Sequence, residues 1–299
     1  MTYLDSIKEA YKRNKIDYNE IFAKVNYIGS YQEDAYMDIV IPSLGREKYV
    51  VSTLKYLLKS ISLTDKKINV IIEDFDNSNF VINYIKSLPS SVKVVYLDCS
   101  KIRENFSRSM AMNVPVYYFK SRSKYLMFHD CDLLVDSSFI KNTVSNLKNT
   151  KTWLQPYTEK RVSNLTNKDS QSIMNGDFLD LGKLEVSHPG SGAPGGSIVV
   201  PNQLFRSVGG YDPELFHSYA PEDSFFWTKM ESMFSKFNYI SNCHVGSANY
   251  SLNTTVYHLN HPQGFIPPEV IDYNRMLWQF THDERQELIA YKNSLYEKL

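Results

Sequence analysis

The sequence has few cysteines, no excess charge of either sign and no long apolar run. Only 3 of its 299 residues are cysteines, and the spacing of Cys99, Cys131 and Cys243 fits neither a disulfide framework nor a zinc site. The first residues are charged and amphipathic, without the apolar segment of a signal peptide, and no stretch approaches the ~20 apolar residues of a membrane span. We therefore expect a cytoplasmic protein; peripheral association with the inner face of a membrane stays open.

The charge balance argues against another class of protein, the nucleic-acid-binding proteins. Lysine and arginine together number 33, and so do aspartate and glutamate, which leaves a net charge of zero. A protein that grips a nucleic-acid backbone is usually strongly basic, so we expect no nucleic-acid partner. A local basic pocket for a small phosphate ligand remains compatible with this balance. The 42% hydrophobic and 22% charged residues are typical of a folded globular protein.

Short apolar runs alternate with helical patterns between residues 37 and 130. The runs predict strands at residues 38–42, 68–72, 92–97 and 124–128, and the intervening patterns predict helices at 47–62, 79–87 and 106–120. Pro115 should kink or interrupt the last helix. Such alternation predicts βαβ units and a mostly parallel sheet flanked by helices, because parallel strands are buried on both faces.

The pattern is less regular beyond residue 150. Residues 157–194 are polar and rich in serine, asparagine and glycine, which predicts a functional loop or a partly disordered segment. Strands follow at 197–200 and 252–258, with helices at 203–208, from about 221, and over most of 269–299. No linker separates the two halves. We therefore expect one α/β domain at 37–266, with helical extensions at 1–36 and 267–299.

Two carboxylates directly follow the strand predicted at 124–128. Asp130 and Asp132 are two residues apart, so both can direct oxygen ligands at one divalent cation such as Mn²⁺ or Mg²⁺. In open α/β sheets, ligands bind at the carboxyl ends of strands. The alternative is a turn with a helix-capping aspartate.

Glycines and a second carboxylate pair lie in the later half. Gly195 and Gly196 would allow a ligand to approach the backbone closely, and Glu222 and Asp223 lie where a helix would begin. A carboxylate there is either a general base in a cleft or a simple helix cap.

Histidines and arginines complete the candidate set. His258 and His261, at the end of a late strand, are either metal ligands or structural side chains. Arg46 and Arg108 follow predicted strands, where a guanidinium is either solvated or paired with a diphosphate.

The assembled order of motifs resembles the GT-A fold glycosyltransferases of family 2, especially the branch with β-1,4-galactosyltransferases and chondroitin-polymerase-like enzymes. The resemblance covers about residues 37–262. The matching segments are 41–46, 72–74, 106–108 with Asn113, 129–134, 195–196 with 209–212, 222–223 and 256–258. The order of the segments is more specific than any one of them.

Some positions depart from the family pattern. Tyr219 stands where this branch often has tryptophan, and Thr255 stands where its galactosyltransferases can have a methionine ligand. The second strand ends in Glu73, Asp74 and Asp76, so the carboxylate that meets uracil is open among these three.

The resemblance implies an inverting, metal-dependent transfer of a hexose or N-acetylhexosamine (Gal, GalNAc or GlcNAc) from a UDP-sugar to a glycan or glycolipid acceptor. It implies Mn²⁺ or Mg²⁺ at Asp132 and His258, with His261 as the other candidate ligand, and Asp223 as the general base. It also suggests polysaccharide biosynthesis, and it divides the domain into a nucleotide-binding half at 37–135 and an acceptor-binding half at 136–266.

The same resemblance implies contact residues for both substrates. The expected donor contacts are Pro42, Ser43, Arg46, Asp74, Arg108 and Asp130. The expected acceptor contacts are Gly196, Tyr211, Tyr219 and Glu222. Residues 260–266 are the candidate lid.

Two other functions are compatible with such a sequence. A non-catalytic nucleotide-sugar or glycan-binding module would keep Arg46 and Asp74 but need no base. A sugar nucleotidyltransferase should carry a glycine-rich basic loop after the first strand, and residues 43–47 match such a loop poorly.

Overall fold

Strands and helices alternate along the first half of the computed structural model, which describes residues 2–147, 154–157, 162–184, 186–189, 195–216, 222–233, 254–261 and 279–296. The strands are β1 (Asn26–Gly29), β2 (Met37–Ser43), β3 (Ile68–Asp74), β4 (Val94–Asp98), β5 (Tyr125–His129), β6 (Leu133–Val135), β7 (Val162–Leu165), β8 (Val186–Pro189), β9 (Ser197–Pro201) and β10 (Val256–His258). The α-helices are α1 (Tyr3–Arg13), α2 (Tyr18–Lys24), α3 (Glu47–Ile61), α4 (Asn79–Ser87), α5 (Arg108–Tyr118), α6 (Phe139–Leu147), α7 (Asn167–Met174), α8 (Asn202–Ser207), α9 (Glu222–Ser232) and α10 (His282–Leu295).

The central sheet has 6 strands in the order β1-β4-β3-β2-β5-β9. Its inner strands β4, β3, β2 and β5 are parallel, whereas β1 and β9 are antiparallel to their neighbours at the two edges. Hydrophobic clusters cover both faces, which is why the inner strands are almost continuously apolar. The predicted α/β fold with a mostly parallel sheet and flanking helices is confirmed.

The N-terminal segment is only partly helical. Helices α1 and α2 form as expected, and Thr2 and Asp5 make a capping box at the start of α1. Residues 26–29, however, form β1, which pairs with β4 and occupies what would otherwise be an open edge of the sheet. The prediction of a purely helical extension at 1–36 is therefore wrong at β1, because pairing with a distant strand decides that conformation.

The polar stretch at 157–194 is predicted as a functional loop or a partly disordered segment, and its described part instead contains strands and a helix. Strands β7 and β8 belong to a second sheet with the order β6-β10-β7-β8, and α7 lies between them. In β7 only Val162 and Leu165 are buried, too few for an alternating pattern to reveal the strand. Strand β10 pairs with β6 so that His258 lies opposite Leu133. The second sheet thereby brings β10, from late in the sequence, beside the residues that follow β5.

Helix α5 continues through its proline. Pro115 lies inside the helix, and the amide of Phe119 donates to the Pro115 carbonyl at 3.1 Å. The predicted interruption is therefore wrong. Proline removes one backbone hydrogen-bond donor from the helix. However, Val114 and Val116 on either side of it are buried, and this packing favours the helical conformation.

The predicted C-terminal helix is confirmed for residues 282–295, whereas 262–278 and 297–299 lie outside the described residues. Thr281 and Glu284 form a capping box at its start. Helix α10 packs against α1 and α9, where Ile7, Phe225 and Leu288 share an apolar cluster. Within the described ranges, no helix combines the length and the apolar content that a membrane span needs.

Glu73 is a buried carboxyl group in β3. Its side chain is inaccessible to solvent, its Oε1 accepts from the Cys99 thiol at 3.5 Å, and its Oε2 has no hydrogen-bond partner among the described residues. Burial raises the pKa of Glu73 well above its ordinary value, because an unpaired carboxylate is poorly solvated there. Glu73 therefore keeps its proton to a higher pH in the folded protein than in the unfolded chain.

A pH-dependent stability follows from this proton. The unfolded chain releases it near pH ~4.3, so the free energy of unfolding decreases as the pH rises above that value. We expect urea denaturation at pH 5 and pH 8 to show this decrease, and Glu73→Gln to reduce it by about 1.4 kcal/mol for each pKa unit. The exposed Glu33→Gln is the matched control. A wild-type pH dependence in Glu73→Gln would contradict a raised pKa of Glu73.

Candidate active site

The candidate site lies at the carboxyl edge of the parallel strands. Asp130 and Asp132 follow directly after β5 and flank the buried Cys131. The Asp130 amide donates to the Gly196 carbonyl at 2.8 Å. Thr53 of α3 donates to the Cys131 carbonyl at 2.7 Å. These contacts fix the backbone that carries the two aspartates.

Asp132 lies beside two histidines from the end of β10. The β10–β6 pairing and a 2.9 Å hydrogen bond from the Leu259 amide to the Asp132 carbonyl bring this strand end to the site. His258 Nε2 is 3.7 Å from Asp132 Oδ1, and His261 Nε2 is 3.1 Å from Asp132 Oδ2. Both histidines left open by the sequence therefore lie next to Asp132.

Among the described residues, Asp132, His258 and His261 form a group that could hold a metal ion. One ligand atom from each lies within 4.8 Å of the others. A carboxylate with two imidazoles suits a divalent transition metal better than Mg²⁺, which prefers oxygen ligands. The donor set fits a divalent metal ion.

The electrostatics around Asp132 favour its ionised form. Burial alone would raise the pKa of Asp132, but the hydrogen bond from His261 and the charges of His258 and Arg46 outweigh burial and hold the pKa below its ordinary value. Arg46 precedes α3 and forms an ion pair with Asp132, with its Nη2 3.4 Å from His261 Nδ1. A guanidinium therefore lies directly beside the candidate metal ligands.

Arg108 connects the aspartate after β5 to the carboxylate pair at the start of α9. Its Nη2 donates to Asp130 at 2.9 Å and to the Gly195 carbonyl at 2.8 Å. Its Nη1 donates to Glu222 at 3.0 Å and also to Asp223. One cation thus holds three carboxylates together.

The carboxylates around Arg108 differ in how readily they ionise. Burial and the neighbouring charge of Asp223 raise the pKa of Glu222 to about 7, with Arg108 acting in the opposite direction. Burial also raises the pKa of Asp130, although its side chain is still 31% exposed and solvent moderates the effect. Such shifts are typical of functional sites and also occur in structural networks of charges.

Gly195 permits the close approach of Asp223. A Cβ atom at this position would lie 1.7 Å from Asp223 Oδ2, so no other residue type fits without movement. The other oxygen of this carboxylate, Asp223 Oδ1, is 3.5 Å from the Tyr211 hydroxyl. Arg108, Gly195 and Tyr211 therefore define the position of the Asp223 carboxylate.

The three acidic residues at the end of β3 occupy different places. Glu73 is in the core, and Asp74 accepts from the amides of Asp76 and Ser78 at 3.1 and 2.8 Å and from the Tyr96 hydroxyl at 2.7 Å. Asp76 is more accessible and accepts from the Gly45 amide. Asp74 thus organises the loop, and Asp76 lies closer to the loop after β2.

The other predicted contact residues are only partly brought together. Pro42 and Ser43 end β2, where they pair with Glu73 and Asp74 of β3. Tyr211 is fully buried, and its ring stacks on Phe226 at 4.1 Å, so its contact with the site is through the hydroxyl. Tyr219 and lid residues 262–266 lie outside the described residues.

The structure adds residues that sequence reasoning missed. The Tyr157 hydroxyl accepts from the Ser197 amide at 3.1 Å and so supports the segment that includes Gly195 and Gly196. Lys229 and Lys292 are buried around Asp212, next to Tyr211. A tyrosine in a polar stretch and lysines in charged helices give no local signal of such positions.

Fold and site together define an α/β protein with a candidate metal centre and a buried carboxylate pair at the carboxyl edge of a mostly parallel sheet. No protein-family model and no curated protein matches the sequence. The similarities found are to solved structures, and they are distant.

Among these structures are TarS and two enzymes that are glycosyltransferases by name. TarS of S. aureus, in complex with UDP, aligns at 12% identity over 87% of this chain and 72% of its own, with a TM-score of 0.46. The mannosyltransferase PcManGT from Pyrobaculum calidifontis, in complex with GDP-Man and Mn²⁺, aligns at 12% over 98% and 87%, with a TM-score of 0.49. Drosophila β1,4-galactosyltransferase 7, in complex with xylobiose, aligns at 12% over 82% and 80%, with a TM-score of 0.40. Similarity at this distance does not assign an activity.

Proposed function

We propose that this protein is a metal-dependent, inverting glycosyltransferase that moves a hexose or N-acetylhexosamine from a UDP-sugar to a hydroxyl of a glycan or glycolipid acceptor. The observation that carries the proposal is the continuity of the site. Asp132 contacts both histidines, and Asp130, two residues earlier, is joined through Arg108 to Glu222 and Asp223. A metal-binding group and a candidate base thus share one edge of the sheet.

The metal would be held by Asp132 with His258 and His261. A divalent ion there would stabilise the negative charge that develops on a departing diphosphate. Arg46 lies beside these ligands and can donate to diphosphate oxygens, for which a guanidinium is well shaped. Pro42, Ser43 and the Asp74–Asp76 loop would border the nucleotide, with Asp76 the more accessible partner for the base.

Asp223 would act as the general base. It would take the proton of the acceptor hydroxyl while that oxygen bonds to the anomeric carbon and the bond from this carbon to the diphosphate breaks. A single displacement of this kind inverts the anomeric centre. Arg108, beside Gly195, would keep Asp223 oriented, and Glu222 would position the acceptor.

The acceptor would lie on the side of Gly196 and Glu222. Gly196 is fixed through its carbonyl by the Asp130 amide, so the acceptor side and the metal side share one backbone contact. We also propose Tyr219 as an acceptor contact and residues 260–266 as a lid, in keeping with the order of the motifs. Tyr211 would act indirectly, through the contact of its hydroxyl with Asp223, since its own ring is buried.

The experiment is a nucleotide-release screen with Mn²⁺, with Mg²⁺ and with no metal. Donors are UDP-Gal, UDP-GalNAc, UDP-Glc, UDP-GlcNAc and UDP-GlcA, with GDP-mannose as a test of base selectivity, each with and without a panel of sugar acceptors. We expect release from one UDP-sugar that is highest with Mn²⁺ and increases with an acceptor. Metal-dependent UDP binding without turnover on any acceptor would instead indicate a non-catalytic nucleotide-sugar-binding module.

A further inference from the structure

Two buried lysines hold the turn at residues 208–214, which precedes the candidate base. Lys229 belongs to α9, the same helix that begins with Glu222 and Asp223. Its Nζ donates to the carbonyls of Val208 and Gly210 at 3.1 and 2.7 Å. It therefore fixes α9 to the turn on the core side of the helix.

The second lysine comes from the C-terminal helix. Lys292 of α10 donates to the Tyr211 carbonyl, and its Nζ is 2.9 Å from Asp212 Oδ1 and 3.3 Å from Glu214 Oε2. Asp212 Oδ2 in turn lies 2.6 Å from Lys229. Helices α9 and α10 are thus joined through Asp212.

The four charges of this network balance and are almost inaccessible. The side chains of Lys229 and Asp212 are each 1% exposed, that of Lys292 is 3% exposed, and that of Glu214 is 0% exposed. Removing one partner of such a group leaves an uncompensated buried charge, which is strongly destabilising. The network therefore holds the turn in one conformation as long as all four groups are present.

Tyr211 transmits this constraint to the site. Asn113 accepts from the Tyr211 amide at 2.9 Å and donates to its carbonyl at 3.0 Å, so the backbone of Tyr211 is held on both sides. Gly210, with a φ of +63°, lets the chain turn where a Cβ atom would be 2.5 Å from Asn113 Oδ1. The Tyr211 hydroxyl then reaches Asp223 Oδ1.

We propose that Lys292 is a positioning residue for Asp223, acting from the C-terminal helix through the backbone and the hydroxyl of Tyr211. The catalytic part of this inference rests on the proposed role of Asp223 as the base; the mechanical part does not. Lys292 lies outside every motif that the sequence displays, and it reaches the site through the Tyr211 carbonyl rather than through Asp223 itself.

The test uses the full chain with the double substitution Lys292→Met and Glu214→Gln, which removes one cation and one anion and so keeps the buried charge balanced. Lys8→Met is the matched control, because Lys8 forms a surface ion pair with Glu287, which belongs to α10 as Lys292 does. Hydrogen–deuterium exchange is followed in peptides covering 208–216 and 222–226. Nucleotide release and Mn²⁺–UDP affinity are measured on the same samples, per folded molecule.

We expect the double variant to exchange at least ~10-fold faster in both peptides and to lose about 10- to 100-fold in kcat, with Mn²⁺–UDP affinity within about twofold of wild type. Lys8→Met should match wild type in all three measurements. Faster exchange confined to 208–216 with unchanged kcat would mean a purely structural role and would overturn the inference.

A second variant covers the case in which the double variant does not fold. Tyr211→Phe keeps the stacked ring and the backbone contacts but removes the hydroxyl that reaches Asp223. We expect a kcat about 5- to 10-fold lower with a Tm within a few degrees of wild type, since one hydrogen bond contributes about 1 kcal/mol. Unchanged kcat would overturn the inference. If wild type itself shows no turnover, the proposed function fails, and exchange at 222–226, in either variant, still decides whether the turn positions Asp223.

Discussion

Replacing Asp132 with alanine is expected to abolish metal-dependent nucleotide release, with a loss of at least ~100-fold. Asp132 is the carboxylate that both histidines approach, so its removal leaves two imidazoles, too few to hold the ion. The fold should survive, because Arg46, the partner left behind, is 34% exposed and can be solvated. The measurements are Mn²⁺ titration, nucleotide release and circular dichroism of the same preparation.

Controls separate ligand loss from general damage. Asp65→Ala removes a carboxylate whose side chain is 82% exposed and should leave release unchanged. His258→Ala and His261→Ala should each weaken Mn²⁺ binding, and equal effects would show that both ligate. A folded Asp132→Ala variant with wild-type metal-dependent release would disprove the metal assignment.

The second large effect is expected at the carboxylate pair. Asp223→Asn keeps the size and most hydrogen bonds of the side chain but cannot accept a proton, so we expect transfer to fall by about 10²- to 10⁴-fold. Binding of UDP with Mn²⁺ should remain, because Asp223 contacts Arg108 and Tyr211 and is not one of the three candidate metal ligands. Single-turnover transfer and calorimetric UDP binding measure the two steps separately.

Glu222 is the rival base, and pH distinguishes it from Asp223. Its pKa is raised to about 7 by burial and by the charge of Asp223, against the effect of Arg108. If Glu222 took the proton, kcat would increase through pH 7 as Glu222 ionises, and Glu222→Gln would be the inactive variant. If Asp223 is the base, Glu222→Gln should mainly raise the KM of the acceptor. Near-normal transfer by Asp223→Asn would reassign the base.

The central sheet was predictable because its inner strands are buried on both faces. Burial of this kind requires continuous apolar runs, and the runs at 38–42 and 68–72 are visible without any knowledge of their partners. The placement of Asp130 and Asp132 at a strand end follows from the same local pattern. Such features depend on residues that are neighbours in the sequence, so they can be predicted from the sequence alone.

The second sheet was not predictable in the same way. Strand β10 (Val256–His258) lies within the strand predicted at 252–258, whereas β7 is only 4 residues long and has no pattern of its own. Strand β7 is held between β10 and β8, and β10 pairs both with β7 and, across about 120 residues of chain, with β6. The choice between His258 and His261 depended on that pairing, which places both beside Asp132.

What the sequence by itself determined is the α/β class, the positions of the parallel strands and the identity of the chemically capable residues, because each depends on local composition and periodicity. Only the tertiary structure decided which of those residues meet. Arg108 was predicted as a donor contact, and the fold makes it the partner of Asp130, Glu222 and Asp223. Lys292 had no signal at all, because its position depends on α9 and α10 packing around the buried carboxylate of Asp212.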